Sequence, residues 1–119
     1  MANTERKDRL PISVMGTAVT IASGESTSTA ANLGGTNLVG ILFPSSMTGS
    51  NLTFQGSLDG TNFFDIYDTA GSALTMTISA NRFVALVPSD FACVRYIKLV
   101  SDGSEAAERT VQLAIRVLN

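Results

Sequence analysis

The sequence predicts an all-β protein, an antiparallel β-sandwich of the jelly-roll type. Side chains along Asn51–Leu58 alternate between apolar and polar, which is the period of a strand with one buried face. Similar short segments recur along the chain, separated by turn signals at intervals of about 8–12 residues. No amphipathic helix of useful length is visible, so two sheets packed face to face account for the pattern.

A β-hairpin at Asn51–Asp68 is predicted to form the centre of the core. The residues predicted on the buried face of its first strand are Leu52, Phe54, Gly56 and Leu58. Asp59-Gly60 predicts the turn, because glycine accepts the positive φ that such turns need. The return strand, Phe63–Tyr67, carries apolar groups on both faces. Phe64 and Ile66 share one face, and Phe63 and Tyr67 share the other.

The remaining strands are shorter or less regular. In chain order they are predicted at Thr17–Ala22, Ser26–Asn32 (a weak edge strand), Asn37–Phe43, Leu74–Ile78, Phe83–Val87, Cys93–Ser101 and Thr110–Leu118. Asn37–Phe43 is almost wholly apolar and ends at Pro44, which is typical of a strand buried on both faces. Ser89–Ala92 is predicted to form a turn or a helical turn. Residues 11–119 therefore form a single domain.

The first ten residues differ from the rest of the chain and are predicted to form an N-terminal arm. Their charged residues are Glu5, Arg6, Lys7, Asp8 and Arg9, whereas Glu25 is the only charged residue from Leu10 to Leu58. A segment this polar cannot bury enough apolar surface to order itself. We predict that the five charged residues bind a partner through ion pairs and hydrogen bonds. A disordered tail is the alternative.

Composition argues against several classes of function. Charged residues make up 15% of the chain, against about 25% in ordinary globular proteins. The net charge of −2 provides no basic field, so no nucleic-acid partner is expected. The chain has no histidine and one cysteine, Cys93, for which a small buried apolar role is predicted. The chain therefore has no histidine to activate a serine or cysteine nucleophile, and it has too few His and Cys residues for the usual zinc sites.

The carboxylates do not form a recognisable catalytic or metal site. Asp59, Asp65 and Asp68 cluster on the hairpin, but their spacing does not match a calcium loop. Glu105 and Glu108 are assigned to a solvated loop. We therefore predict that the protein is not an enzyme and holds no cofactor or metal.

The N-terminus has no apolar region of a secretory signal, and no apolar run approaches the ~20 residues of a membrane span. The sequence thus predicts a protein made in a cytoplasm, not secreted, and without a membrane partner.

Several stretches resemble small virion proteins of tailed bacteriophages that have jelly-roll or sandwich folds. The matching stretches are Thr20–Pro44, Leu52–Asp68, Arg82–Ser101 and Val111–Leu118. The resemblance implies a structural virion protein, a capsid decoration (cement) protein bound to the outer capsid surface. Its partners would be the major capsid protein and sister subunits in a homo-oligomer, with a trimer as one option. A small head-fibre or tail component is an alternative.

A second resemblance is to galactose-binding-like sandwiches of the discoidin type. It is carried by LTFQGSLDGTNF, which begins at Leu52, and by VRYIKL, which begins at Val94. The resemblance implies the sandwich fold but does not carry over a sugar site. A carbohydrate-binding module is kept as an alternative function, which glycan binding that requires Tyr67 or Tyr96 would favour. The sequence departs from that group because it has no tryptophan and no signal peptide.

Overall fold

A computed structural model describes residues 14–117, which form nine β-strands and one 3-10 turn. The strands are β1 (Val14–Ile21), β2 (Ala31–Asn32), β3 (Thr36–Leu42), β4 (Asn51–Ser57), β5 (Phe64–Asp65), β6 (Thr75–Thr77), β7 (Phe83–Ala85), β8 (Tyr96–Ser101) and β9 (Arg109–Val117). The 3-10 turn is Pro88–Phe91, at the position where the sequence predicts a helical turn. The predicted N-terminal arm lies outside the described residues.

Two antiparallel sheets form the sandwich. The four-stranded sheet has the order β1-β9-β3-β7, and the five-stranded sheet has the order β2-β8-β4-β5, with β6 also paired to β4. With β5 and β6 taken together as one bent strand, this order is that of a jelly roll. The predicted fold class is therefore confirmed.

The core lies between the inner faces of the two sheets. Its most fully buried members include Val19, Leu38, Ile41, Leu52, Ile97, Leu99, Val111 and Leu113. The ring of Phe54 meets the ring of Phe91 edge to face, with 4.9 Å between their centroids. The 3-10 turn therefore closes the core beside β4, because it delivers Phe91 into the space between the sheets.

The prediction that β3 is buried on both faces holds at Leu38, Gly40 and Ile41 but fails at Leu42, and an irregularity in the strand decides which side chains face the core. The register with β9 shifts between Leu38 and Gly40, so that one extra residue is accommodated there. Leu38 and Ile41 consequently both face the core, although they are three positions apart. Leu42 then lies on the outer face and is exposed.

The central hairpin is less buried than predicted. Phe54 is 2% exposed, as its place in the alternation indicates, but Leu58 is 77% exposed and Phe64 is 71% exposed. β4 ends at Ser57, whose Oγ accepts hydrogen bonds from the backbone N–H groups of Asp59 and Gly60. The turn therefore begins before Leu58 and carries it out of the strand, so the assignment of Leu58 to the buried face is wrong.

Cys93 is exposed, which corrects its predicted buried role.

Residues 14–117 include no helix that is long and apolar enough to cross a membrane. Within the same range, no three Cys, Asp or Glu residues are grouped so that they could hold a metal ion.

Candidate functional site

The outer face of the four-stranded sheet is the surface best suited to contact another protein, and we call it the apolar face. Its residues follow from the pairing registers and are Val14, Gly16, Ala18, Thr20, Asn37, Gly40, Leu42, Phe83, Ala85, Thr110, Gln112, Ala114 and Arg116. Only the last of these is charged. The apolar face can therefore lose its water without stripping solvent from more than one ion.

A row of small residues crosses the middle of the apolar face. Ala85 pairs with Gly40, Gly40 pairs with Ala114, and Ala114 pairs with Gly16, so the row spans all four strands. No side chain in this row is larger than a methyl group. The surface is consequently hollow here, with a concavity of about 410 Å³ bordered by Val14, Met15, Leu42, Phe83 and Gln112.

Phe83 forms one side of this concavity. A β-carbon placed on Gly40 would lie 2.9 Å from Cε1 of Phe83, so the glycine makes room for the ring. The ring is nonetheless 66% exposed, and the neighbouring Leu42 is also exposed. An aromatic ring held against the sheet with its outer side in water is a typical anchor for a protein partner.

The outer face of the five-stranded sheet is different. Its residues include Asn32, Thr53, Gln55, Asp65, Thr75, Thr77, Tyr96 and Lys98. Gln55 Nε2 donates to Asp65 Oδ1 at 3.2 Å, and the Lys98 ammonium lies 4.3 Å from the centroid of the Phe63 ring. Polar and charged side chains that contact one another are typical of a solvated face. The two outer faces of the sandwich therefore differ in their content of polar and charged residues.

A second apolar surface lies at the end of the hairpin. Leu58, Phe64, Cys93 and Val94 border a concavity of about 370 Å³ there. The nearby carboxylate of Asp59 is occupied within its own turn. The backbone N–H groups of Asn62 and Thr61 donate to it and lower its pKa. This end therefore offers apolar contact but few free polar groups to orient a small ligand.

The two tyrosines proposed for sugar binding do not share a platform. Tyr96 pairs with Ser57, whereas Tyr67 lies two residues beyond Asp65, which pairs with Gln55. Tyr67 itself bridges Ala73, in the connection between β5 and β6, while β4 at Thr53 pairs with Thr75, so the two rings do not lie on neighbouring positions of one strand pair. A β-carbon on Gly60 would lie 3.0 Å from Cζ of Tyr96, so the turn also covers this ring.

The carboxylate of Glu105 is buried and joins two loops, a role that the sequence does not reveal. The assignment of Glu105 to a solvated loop is therefore wrong. Its side chain is almost completely buried, at 1% exposure, between the loops that flank β4 and β8. Oε1 accepts from the Thr48 N–H at 2.8 Å and from Arg109 Nε at 3.0 Å. Oε2 accepts from the Gly49 N–H at 2.9 Å and from Ser101 Oγ at 2.8 Å.

The ionisation of Glu105 follows from these contacts. Burial is the largest single influence and would raise the pKa, but the four hydrogen bonds together outweigh it and lower the pKa from 4.5 to about 2. The carboxylate is therefore charged at neutral pH and joins two loops, and it has no open position for a substrate. Glu108, three residues later, is exposed as predicted. The predicted arm residues Glu5, Arg6, Lys7, Asp8 and Arg9 lie outside the described residues.

A scan against family models and a search of curated proteins found no match. Among solved structures, the chain is similar to the SPBc2 prophage-derived protein YomS, with 13% sequence identity and a TM-score of 0.56. The similarity covers 89% of this chain and 96% of that one. At this identity the likeness establishes a shared sandwich fold over nearly the whole of both chains.

Two further solved structures are more distant. The Yersinia pseudotuberculosis-derived mitogen has 12% identity and a TM-score of 0.40, over 91% of this chain and 89% of that one. The module CBM32-1 from a family 31 glycoside hydrolase of Clostridium perfringens has 14% identity and a TM-score of 0.40, over 87% of this chain and 76% of that one. Both scores are too low to say more than that β-rich domains are being compared.

Proposed function

We propose that this protein is a structural virion protein of a tailed bacteriophage, a decoration protein that binds the outer surface of the capsid. The observation that carries the proposal is the apolar face, which has a single charged residue at its border and an exposed aromatic anchor, Phe83. The sequence resemblance to small virion proteins supports it. The prophage origin of the solved protein with the same fold is consistent with it.

Attachment would proceed by burial of the apolar face. Specific interfaces bury about 800 Å² on each partner, and apolar area contributes about 25 cal/mol per Å². Phe83 and Leu42 would supply the apolar contact, and the hollow between Gly40 and Gly16 would receive a protruding side chain of the capsid. Many copies on one particle would add avidity, because each capsid presents the same site repeatedly. Neighbouring subunits and the charged residues 5–9 would add further contacts.

The proposal is preferred to a carbohydrate-binding module on geometric grounds. The turn at Gly60 covers the ring of Tyr96, Tyr67 bridges Ala73 away from β4, and the Asp59 carboxylate is already occupied by its own turn. An enzymatic role is not proposed, since the chain contains no histidine and its most buried carboxylate, Glu105, is fully hydrogen-bonded. The proposed location is the virion surface.

Two exposed phenylalanines provide a matched test of the attachment face. Phe83→Asp would place a charge on the apolar face, and Phe64→Asp would place the same charge at the hairpin end, where the ring is comparably exposed. Each purified variant is mixed with capsids that lack this protein, sedimented, and quantified by mass spectrometry as copies per particle. We expect Phe83→Asp to reduce occupancy at least ~10-fold, since a buried unpaired charge costs several kcal/mol, and Phe64→Asp to bind normally.

If Phe64→Asp lowers capsid occupancy and Phe83→Asp does not, the interface lies at the hairpin end and not on the apolar face. Absence of wild-type protein from purified virions of its phage, together with no binding to capsids, would refute the proposed function. A folded state for both variants is checked by circular dichroism, because both side chains are exposed and neither change should alter the melting temperature by more than about 2 °C.

A further inference from the structure

The four edges of the two sheets are unequal, and only one of them is long. In the five-stranded sheet, one edge is β2, which has two residues. The other edge is shared by β5, with two residues, and β6, with three. In the four-stranded sheet, β7 has three residues, whereas β1 has eight. Short edge strands offer little backbone for another chain to pair with, so β1 is the exception.

The backbone of β1 shows which of its polar groups face outward. The Thr20 N–H donates to Thr29 Oγ1 at 3.0 Å, and the Thr20 carbonyl accepts from the Thr29 N–H at 2.9 Å. Both groups of Thr20 thus point away from β9. Because this direction alternates along an antiparallel strand, the N–H and carbonyl groups of Ala18, Gly16 and Val14 also point away from β9.

These six groups have no hydrogen-bond partner among residues 14–117. The usual protections of an exposed edge are also absent, since the sequence of β1, VMGTAVTI, has no charged residue and no proline. Its register with β9 runs from Val14 to Ile21 without a bulge. An unprotected edge of this length is a template for strand addition.

We propose that β1 pairs antiparallel with β1 of a second copy of this chain, with Gly16 of both copies on the two-fold axis. In this register Gly16 faces Gly16, and Val14 faces Ala18 in both directions. Each outward-facing pair exchanges two hydrogen bonds, so all six groups of each copy are satisfied by six hydrogen bonds. Moving the register by two residues in one direction would oppose Val14 to Thr20, whose groups Thr29 already occupies. Moving it in the other direction would place Ala18 opposite a residue outside the described range.

The chemistry of the edge favours a second copy as its occupant. Nothing lies within 4 Å of the position of a β-carbon on Gly16, so among the described residues no side chain overhangs the outer face of the sheet at the axis. The nearest charged side chain on this face, Arg116, is opposite Val14 on β9. In the dimer the two Arg116 residues would be three strand spacings apart, at least about 14 Å, which exceeds the Debye length of about 8 Å at physiological salt.

The dimer would join two four-stranded sheets into one sheet of eight strands. The two apolar faces would then lie side by side, and each copy of Phe83 would be at an outer end of a continuous surface. The inference is independent of the proposed virion function, because it rests on the edge of β1 alone. A ladder of five residues per strand buries less than a standard interface, so we expect a dissociation constant above about 1 µM.

A charge exchange at Gly16 tests the proposed register. Gly16→Lys and Gly16→Glu each place two like charges opposite one another at the axis, and each should raise the dissociation constant at least ~10-fold. An equimolar mixture should again dimerise, as a heterodimer. Sedimentation equilibrium from about 1 µM to about 1 mM would follow the rise from the 12.5 kDa monomer toward twice that mass. Ala85→Lys, on the opposite edge of the same sheet, is the matched control and should dimerise like wild type.

Hydrogen exchange of the unmodified protein gives a second measurement that does not depend on any variant folding. Protection of the Gly16 and Ala18 amides should increase with protein concentration. A wild-type protein that remains monomeric to about 1 mM would overturn the inference, as would a dimer that survives both Gly16 substitutions. Protection that is independent of concentration would show that this chain's own N-terminal segment covers the edge, and would also overturn it.

Discussion

Replacing Glu105 by alanine tests whether a single buried carboxylate holds two loops of the sandwich together. The substitution removes the acceptor of two backbone N–H groups, those of Thr48 and Gly49, and of two side chains, Ser101 and Arg109. A buried donor left without an acceptor costs about 1–3 kcal/mol, and breaking a buried ion pair costs about 3–5 kcal/mol. The hydroxyl can find another acceptor and water can reach the loop, so we expect a total loss of about 3–5 kcal/mol.

Two further variants calibrate this value. Glu105→Gln keeps the shape of the side chain but replaces one acceptor oxygen with an amide that donates. Ser101 can rotate its hydroxyl to accept from that amide, while a backbone N–H on the same side stays unpaired, so about half of the loss should remain. Glu108→Ala removes an exposed carboxylate from the same loop and should change stability by less than about 0.5 kcal/mol.

The assay is thermal unfolding followed by circular dichroism at pH 7. For a domain of this size, about 4 °C of melting temperature corresponds to 1 kcal/mol, so Glu105→Ala should melt about 12–20 °C below wild type. A melting temperature for Glu105→Ala that equals that of Glu108→Ala would refute the reasoning. It would mean that the four hydrogen bonds are replaced by water at no cost.

The contribution of Glu105 also has a defined pH dependence. Its pKa falls from 4.5 to about 2 on folding, so the unfolded chain binds the proton more tightly. The stabilisation is therefore complete above pH 4.5 and is lost as the pH falls from 4.5 toward 2. The difference in melting temperature between wild type and Glu105→Ala should narrow over that range, whereas a constant difference would indicate that the charge is not involved.

Three further predictions concern the core, a close packing contact and the arm. Phe54→Ala should destabilise the domain by about 3–5 kcal/mol in denaturant melts, since its ring is buried against Phe91, and an unchanged midpoint would contradict this. Gly56→Ala should cost about 1–3 kcal/mol, because the new β-carbon would lie 2.3 Å from Cγ1 of Val94; a stabilised variant would show that the segment before β8, which carries Val94, moves freely. Deleting residues 2–10 should leave the melting temperature unchanged but lower salt-sensitive attachment to capsids, and equal occupancy with and without the arm would remove it from the mechanism.

The sequence predicted those parts of the fold whose signals are local. Alternation along β4 placed Phe54 inside, where its ring is 2% exposed. The same alternation failed at Leu58 because a period of two carries no information about where a strand stops. The stop is set by Ser57, whose side chain starts the turn one residue earlier. A bulge in β3 likewise changes which residues face inward, and no residue type in that apolar run indicates it.

The role of Glu105 was beyond local reasoning for a different reason. Two of its four donors, the N–H groups of Thr48 and Gly49, come from residues 57 and 56 positions earlier in the chain. Only the jelly-roll order, which brings the loop before β4 beside the loop after β8, places them together. The local partners are Ser101, four residues earlier, and Arg109, four residues later, and an i,i+4 ion pair such as that with Arg109 is common on exposed surfaces.

The uneven distribution of charge between the two outer faces bears most directly on function. A low charge content by itself is equally typical of a Ser- and Thr-rich β-protein, and in that case both outer faces should be similar. They are not, because Lys98 and Asp65 lie on the five-stranded sheet with other polar groups, whereas the four-stranded sheet carries Gly, Ala and exposed Phe83. Covering the first face would strip water from ions of both signs, while covering the second removes apolar surface at the cost of one arginine at its border. Burial of the outer face of the four-stranded sheet would therefore desolvate less charge than burial of the outer face of the five-stranded sheet.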